Sequence, residues 1–159
     1  MTSRNKFIVE RTNVLESNKT LAGAHTNLDT GRFGWYGKAG EVYEFEAYVV
    51  YTATAVTEGA AFGINSSGTL ATNSSYVSEY NTTDAVTSVR TVCTAFSQPA
   101  AGSASPSTGP NVATVKGIIS LTNDAFINVT GIAENSNQIT ALGGLTTVKW
   151  KRIDWPAEA

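Results

Sequence analysis

The sequence predicts an all-β domain, a sandwich or barrel of short antiparallel strands. Charged residues make up only 15% of the 159 residues, against roughly 25% in typical soluble domains. Thr, Ser, Asn and Gly are abundant, whereas long helices favour Glu, Lys, Leu and Arg. Strand-like runs rich in Val, Thr and Tyr recur at intervals of roughly 8–12 residues with turn residues between them. The length suits one domain covering residues 1–159.

The sequence pattern in the first quarter of the chain indicates little regular secondary structure. Residues 6–14, "KFIVERTNV", suit a first strand, and residues 1–14 as a whole could serve as an N-terminal docking strand or arm. Five glycines between residues 23 and 40 favour turns or bulges, with a short strand around residues 33–36.

The segment "EVYEFEAYVVYTATA" (residues 41–55) predicts the main strand. One face is apolar throughout and carries Tyr43, Phe45, Ala47, Val49 and Tyr51. The other face begins with Glu44 and Glu46 but continues with Tyr48 and Val50. A strand of this kind needs something to cover its second face, either another part of the chain or another molecule.

The remaining elements follow from the same patterns. Residues 59–65, 74–81, 85–96, 112–122 and 124–134 are predicted strands, although 85–96 could also be read as a helix. Residues 97–111, "SQPAAGSASPSTGPN", predict a mobile surface loop. After a short strand and the break at Gly143 and Gly144, a last strand sets Val148 and Trp150 opposite Lys149 and Lys151.

Composition also argues against several functions. The net charge of −2 without a run of like charges disfavours nucleic-acid binding. Cys93 is the only cysteine, so no intramolecular disulfide can form. We identify neither a signal peptide nor an apolar run that would span a membrane. The sequons at five asparagines are expected by chance in a chain of this composition: Asn18, Asn65, Asn73, Asn81 and Asn128.

No residue set predicts catalysis, a metal site or a cofactor site. His25 is the only histidine and has no motif around it, and Cys93 suits a small buried residue. Glu44 and Glu46 would lie roughly 6.5–7 Å apart along one strand face, a separation that some glycosidases use. A solvated face with Lys149 and Lys151 as ion-pair partners is the simpler interpretation.

The aromatic residues of "RFGWYG" are the one candidate ligand platform. Phe33, Trp35 and Tyr36 could stack against a sugar, although packing in a core or interface is the commoner use of such residues.

Residues 43–68 and 115–153 resemble a recurring domain of tailed-phage structural proteins. The relevant stretches are "YEFEAYVVYTATAVTEGAAFGINSSG" and "VKGIISLTNDAFINVTGIAENSNQITALGGLTTVKWKRI". Glu58-Gly59-Ala60-Ala61 departs from the family, which often has Thr-Gly and a bulky aliphatic residue there. The resemblance implies an antiparallel jelly-roll sandwich of the C1q and tumour-necrosis-factor type, which forms homotrimers and occurs in capsid cement proteins and tail-fibre heads.

This resemblance implies a non-enzymatic virion protein on the outer surface of a phage capsid. The expected partners are two further copies of the chain and the major capsid protein, without nucleic acid, membrane or cofactor. Tyr48, Val50 and Trp150 are candidates for the three-fold interface. The candidate capsid contacts are Phe7, Ile8, Val9, Pro99, Pro106 and Pro110. The alternative is a tail-fibre or receptor-binding head that recognises host glycans through Phe33, Trp35 and Tyr36.

Overall fold

The computed structural model describes residues 9–83 and 87–153. Within these ranges the chain forms twelve strands and no helix. The strands are β1 (Arg11–Val14), β2 (Lys19–Thr20), β3 (Thr26–Asn27), β4 (Gly34–Gly37), β5 (Val42–Ala53), β6 (Ala60–Ser66), β7 (Ser75–Thr83), β8 (Thr87–Cys93), β9 (Asn111–Ser120), β10 (Ala125–Ala133), β11 (Ile139–Ala141) and β12 (Thr147–Arg152).

The strands form two antiparallel sheets of unequal width. The large sheet has the order β1-β12-β5-β9-β7-β8, with β11 also beside β5 and β2 beside β11. In the small sheet β10 is central, with β6 on one side and β3 and β4 on the other. Every pairing between these strands is antiparallel.

The chain passes back and forth between the two sheets, as in a jelly roll. β1, β5, β9 and β12 belong to the large sheet, and β4, β6 and β10 to the small one. The β7–β8 hairpin stays in the large sheet and extends it beyond β9. The predicted fold class, an all-β antiparallel jelly-roll sandwich, is confirmed. The closer likeness to the C1q and tumour-necrosis-factor type stays a prediction.

The core lies between the sheets and follows the predicted alternation of β5. Tyr43, Phe45, Ala47, Val49 and Tyr51 are all buried. From the small sheet, β10 contributes three side chains on the same inward face: Ala125, Ile127 and Val129.

Aromatic rings fill one end of this core. The Trp35 ring lies 5.1 Å from that of Phe45 and 6.1 Å from that of Trp150, measured between centroids. Tyr43 packs at 6.3 Å from Trp35. Side chains from β4, β5 and β12 therefore join both sheets through one aromatic cluster.

The structure differs from the predicted elements in several places. The first strand begins at Arg11, and residues 1–8 lie outside the described residues. Residues 87–93 form a strand, which excludes the helical alternative. β2 and β3 were not predicted, because two residues are too few to show a period.

Residues 97–110 form a surface loop, as predicted, but they are attached to the edge of β6. Backbone hydrogen bonds run from Ser97 N to Ile64 O (2.9 Å) and from Gly102 N to Ala60 O (3.2 Å). Gly63 permits this approach, since a Cβ there would lie 2.0 Å from the carbonyl oxygen of Gln98. The loop therefore covers an edge that would otherwise be open.

Candidate functional site

The outer face of the large sheet carries the charged residues predicted for it. The register sets Glu46 between Lys149 of β12 and Lys116 of β9. Glu44 lies opposite Lys151, and the two form an exposed ion pair in which Lys151 Nζ lies 3.6 Å from Glu44 Oε2. This confirms the expectation that lysines of the last strand face the two glutamates.

These charges line an open groove with a volume of about 310 Å³. Glu10 and Ile118 also border it. Each glutamate has a lysine directly across a strand boundary, so positive and negative groups alternate and largely compensate each other. Solvent screening leaves an exposed pair of this type worth roughly 0–1 kcal/mol.

Further along the same face the residues become apolar. Val50 lies opposite Val112, and Thr147 lies between Tyr48 and Val14. Tyr48 is 39% exposed and Val112 is 55% exposed. We call Val14, Tyr48, Val50 and Val112 the apolar patch.

Tyr48 joins the charged and apolar parts of this face. Its hydroxyl bonds to Glu46, and this hydrogen bond raises the pKa of Tyr48. The neighbouring carboxylate therefore favours the protonated form of the phenol.

Sequence reasoning found half of the apolar patch. Alternation within β5 identified Tyr48 and Val50, but Val14 and Val112 join them only through the pairing of separate strands. A signal was present for Val112, since it shares the face of Lys116 at a spacing of four residues.

Trp150 does not belong with Tyr48 and Val50. It lies opposite Phe45 in the register, on the inward face of β12, and its ring stacks on Trp35. Trp150 therefore faces away from Tyr48 and Val50, because position 150 alternates with the outward-facing Lys149. Its part in a three-fold interface stays a prediction.

The candidate capsid contacts are dispersed. Val9 is exposed at 58%, whereas Phe7 and Ile8 lie outside the described residues. In the loop, Pro99 is buried, Pro106 is half-buried and Pro110 is exposed.

Val9 and Pro110 lie near opposite ends of β5. Glu10, next to Val9, borders the groove beside Glu44, whereas Asn111, next to Pro110, pairs with Tyr51. At roughly 3.3 Å per residue, Glu44 and Tyr51 are about 23 Å apart.

The aromatic platform is not formed. Phe33 and Trp35 are each only 1% exposed, and Tyr36 is the one exposed member. Neighbouring residues of a strand point to opposite faces, so Trp35 and Tyr36 cannot present their rings to one ligand. The glycan-platform interpretation is therefore wrong for Phe33 and Trp35.

His25 and Cys93 both have structural surroundings. Nδ1 of His25 lies 2.9 Å from Thr130 Oγ1, and Nε2 lies 2.7 Å from the Pro99 carbonyl oxygen. Burial lowers the pKa of His25, against a smaller opposing effect of the Pro99 carbonyl. Cys93 is fully buried, as predicted, and burial raises the pKa of its thiol.

Among residues 9–83 and 87–153, no three His, Cys, Asp or Glu side chains form a group that could hold a metal ion. The same residues include no helix that could span a membrane.

Comparison with known proteins gives little. No family model and no curated protein matches the chain. Among solved structures, a subviral particle of infectious bursal disease virus VP2 matches at 9% identity and a TM-score of 0.27, covering 94% of this chain and 38% of VP2. A mutant VP2 in T=1 particles matches at the same values, with 95% and 41% covered.

The chain thus spans about two fifths of the length of the VP2 chains. A TM-score of 0.27 is too low to establish a shared fold or function.

Proposed function

We propose that this chain is a virion structural protein, a homotrimeric cement (decoration) protein on the outer surface of a phage capsid. In this role it clamps neighbouring copies of the major capsid protein. It needs no catalytic group, cofactor, nucleic acid or membrane. The observation that carries the proposal is the apolar patch in the middle of the wider sheet, together with the resemblance of the sequence to phage structural domains.

The apolar patch fits another copy of this chain. A stable protein interface covers roughly 800 Å² on each partner, with an apolar centre and a polar rim. Tyr48 supplies a large ring beside three valines, and the alternating charges next to it supply a rim. Because these charges compensate each other, copies can approach without net repulsion.

A trimer would close this contact around a three-fold axis, with the patch of each chain meeting a different surface of the next. Three subunits would then present their capsid-binding residues together. Weak single contacts multiply into high avidity when they are linked in this way.

Oligomeric state tests the interface directly. Light scattering coupled to gel filtration at micromolar concentration should give the mass of three 16.7 kDa chains. Tyr48→Lys places a charge in the patch and should yield monomers. The matched control Tyr36→Lys changes an exposed tyrosine of the small sheet and should remain trimeric. A monomeric wild-type protein, or equal behaviour of both variants, would contradict the proposed interface.

The capsid contact is proposed for Val9 together with Phe7 and Ile8, and for Pro106 together with Pro110. Pro99 is left out because it is buried. Since the two regions lie about 23 Å apart along the sheet, a trimer that contacts the capsid with one end of its sheets would bind through only one of these regions.

Two variants separate these possibilities. Removal of residues 1–9 leaves β1 intact, and replacement of residues 106–110 by Gly and Ser keeps the loop closed over β6. Each is mixed with virus particles stripped of the protein, and bound protein is measured after sedimentation. We expect one variant to lose binding while remaining trimeric; unchanged binding by both would reject these contacts.

Imaging tests the location of the protein. Labelled antibody against this chain should mark the head of intact virions. Label at fibre tips would instead support the alternative, a tail-fibre or receptor-binding head. Absence of label from virions would refute both virion roles.

A further inference from the structure

The loop of residues 97–110 is fastened along one edge of the small sheet. Besides the bonds to Ile64 and Ala60, Ser105 N donates to Val56 O at 3.0 Å, and its hydroxyl donates to Glu58 O at 2.6 Å. These bonds use carbonyl groups of β6 and of the turn before it. The loop takes the place beside β6 that a further strand could occupy.

His25 connects this loop to the centre of the small sheet. A carbonyl oxygen can only accept, so the 2.7 Å contact with Pro99 requires a hydrogen on Nε2 of His25. In the neutral ring Nδ1 then has a free lone pair, which accepts the hydroxyl hydrogen of Thr130. Thr130 is fully buried on β10. The neutral ring therefore uses both nitrogens to join the loop to the sheet.

The described elements that contact His25 carry no charged side chain, and the carboxylates next to them in sequence include Glu58, in the turn before β6, and Glu134, directly after β10. Neither β6, β10, residues 97–110 nor residues 20–28 include an Asp, Glu, Lys or Arg. Tyr76 contacts the loop next to Pro99, since its hydroxyl donates to Gln98 O at 2.9 Å. Burial raises the pKa of Tyr76, so it stays neutral wherever His25 titrates.

We propose that His25 is an acid-sensitive latch, which holds residues 97–110 against the small sheet while its ring is neutral and releases them when Nδ1 is protonated. The proton comes from solvent. It occupies the lone pair that accepted from Thr130, and it leaves an imidazolium in a half-buried, uncharged site. The charged ring is better solvated outside this site.

The sign of the pH effect follows from the environment of the ring. The exposed ring of the open loop has the ordinary pKa of about 6.5, and burial lowers the pKa of the closed one. The open form thus takes up the proton first as the pH falls. Between the pKa values of the closed and the open form, the equilibrium constant for opening rises by up to about tenfold for each unit by which the pH falls. The latch acts within one chain, so it does not depend on the proposed virion role.

Amide hydrogen exchange of the full-length protein tests the latch. The informative amides are Ser97 and Gly102, whose hydrogen bonds attach the loop to β6. After correction for intrinsic rates, their protection should fall between about pH 7.5 and about pH 4.5, in step with the His25 ring signals. Because His25 is the only histidine, these signals are unambiguous. Amides of β9 serve as internal controls and should keep their protection.

The variant His25→Gln completes the test. Glutamine can donate to the Pro99 carbonyl but stays neutral at every pH used, so protection of the two loop amides should lose its pH dependence. The same dependence in the variant would overturn the proposal. So would a wild-type ring that titrates without a change at Ser97 and Gly102, or one that stays neutral throughout. If the variant does not fold, the wild-type titration alone decides.

Discussion

Replacement of Trp35 distinguishes a core residue from a ligand platform. Its side chain is 1% exposed and packs on the rings of Tyr43, Phe45 and Trp150. Trp→Ala substitutions in cores cost about 3–5 kcal/mol. Since whole domains have roughly 5–15 kcal/mol of stability, Trp35→Ala should remove a large part of it.

Trp35→Phe should be milder than Trp35→Ala. The indole Nε1 of Trp35 is buried without an acceptor among the described residues. Burying an unsatisfied donor costs about 1–3 kcal/mol, and phenylalanine removes it. This gain offsets part of the cavity left by the smaller ring, so the change in the free energy of unfolding should be well below that of the alanine variant.

Urea unfolding followed by circular dichroism measures both variants, at one protein concentration because association would add to stability. Tyr36→Ala is the matched control: it changes the next residue of β4, which is 54% exposed, and should alter stability by less than about 0.5 kcal/mol. The reasoning is refuted if Trp35→Ala stays within that limit, or if Tyr36→Ala costs as much.

Two further predictions concern the loop and alkaline pH. Gly63→Ala would place a Cβ 2.0 Å from Gln98 O and should lower the free energy of unfolding by about 1–3 kcal/mol; Gly109→Ala, whose Cβ has its nearest neighbour at 3.7 Å, should be nearly neutral in the same urea titration. Burial and, to a smaller extent, a hydrogen bond to Glu41 raise the pKa of Tyr43 to about 12. As the pH rises, this tyrosine therefore ionises first in the unfolded chain, and the free energy of unfolding should fall from about pH 10 upward. Tyr43→Phe should reduce this slope in urea titrations at several pH values, and an unchanged slope would contradict the assignment.

Much of the fold could be predicted because apolar and polar side chains alternate along a strand with one face buried. The alternation within β5 predicted which of its residues face the core and which face outward. The break at Gly143 and Gly144 predicted the observed separation of β11 from β12. The attachment of residues 97–110 was not predictable. It depends on backbone groups such as Ser97 N and Gly102 N, which every sequence carries.

The candidate site could also be predicted only in part, because patterns within one strand do not show which strands pair with it. Tyr48 and Val50 were identified from one strand, whereas Val112 needed the register between β5 and β9. Trp35 was ambiguous because β4 is four residues long, too short for alternation to separate its faces. The inward face of β4 is set by its pairing with β10, a strand some ninety residues later in the sequence, and the rings that cover Trp35 come from β5 and β12.

The position of β12 between β1 and β5 constrains the order of events during synthesis. β1 pairs with β12 alone among the described strands, so β1 must wait, after it leaves the ribosome, until β12 has been made. At about 5–20 residues per second, this wait lasts on the order of ten seconds. Meanwhile β5, one of the most apolar segments, has an open edge that other nascent chains can reach. We expect the polysome-bound protein to depend on chaperones more than its modest size suggests.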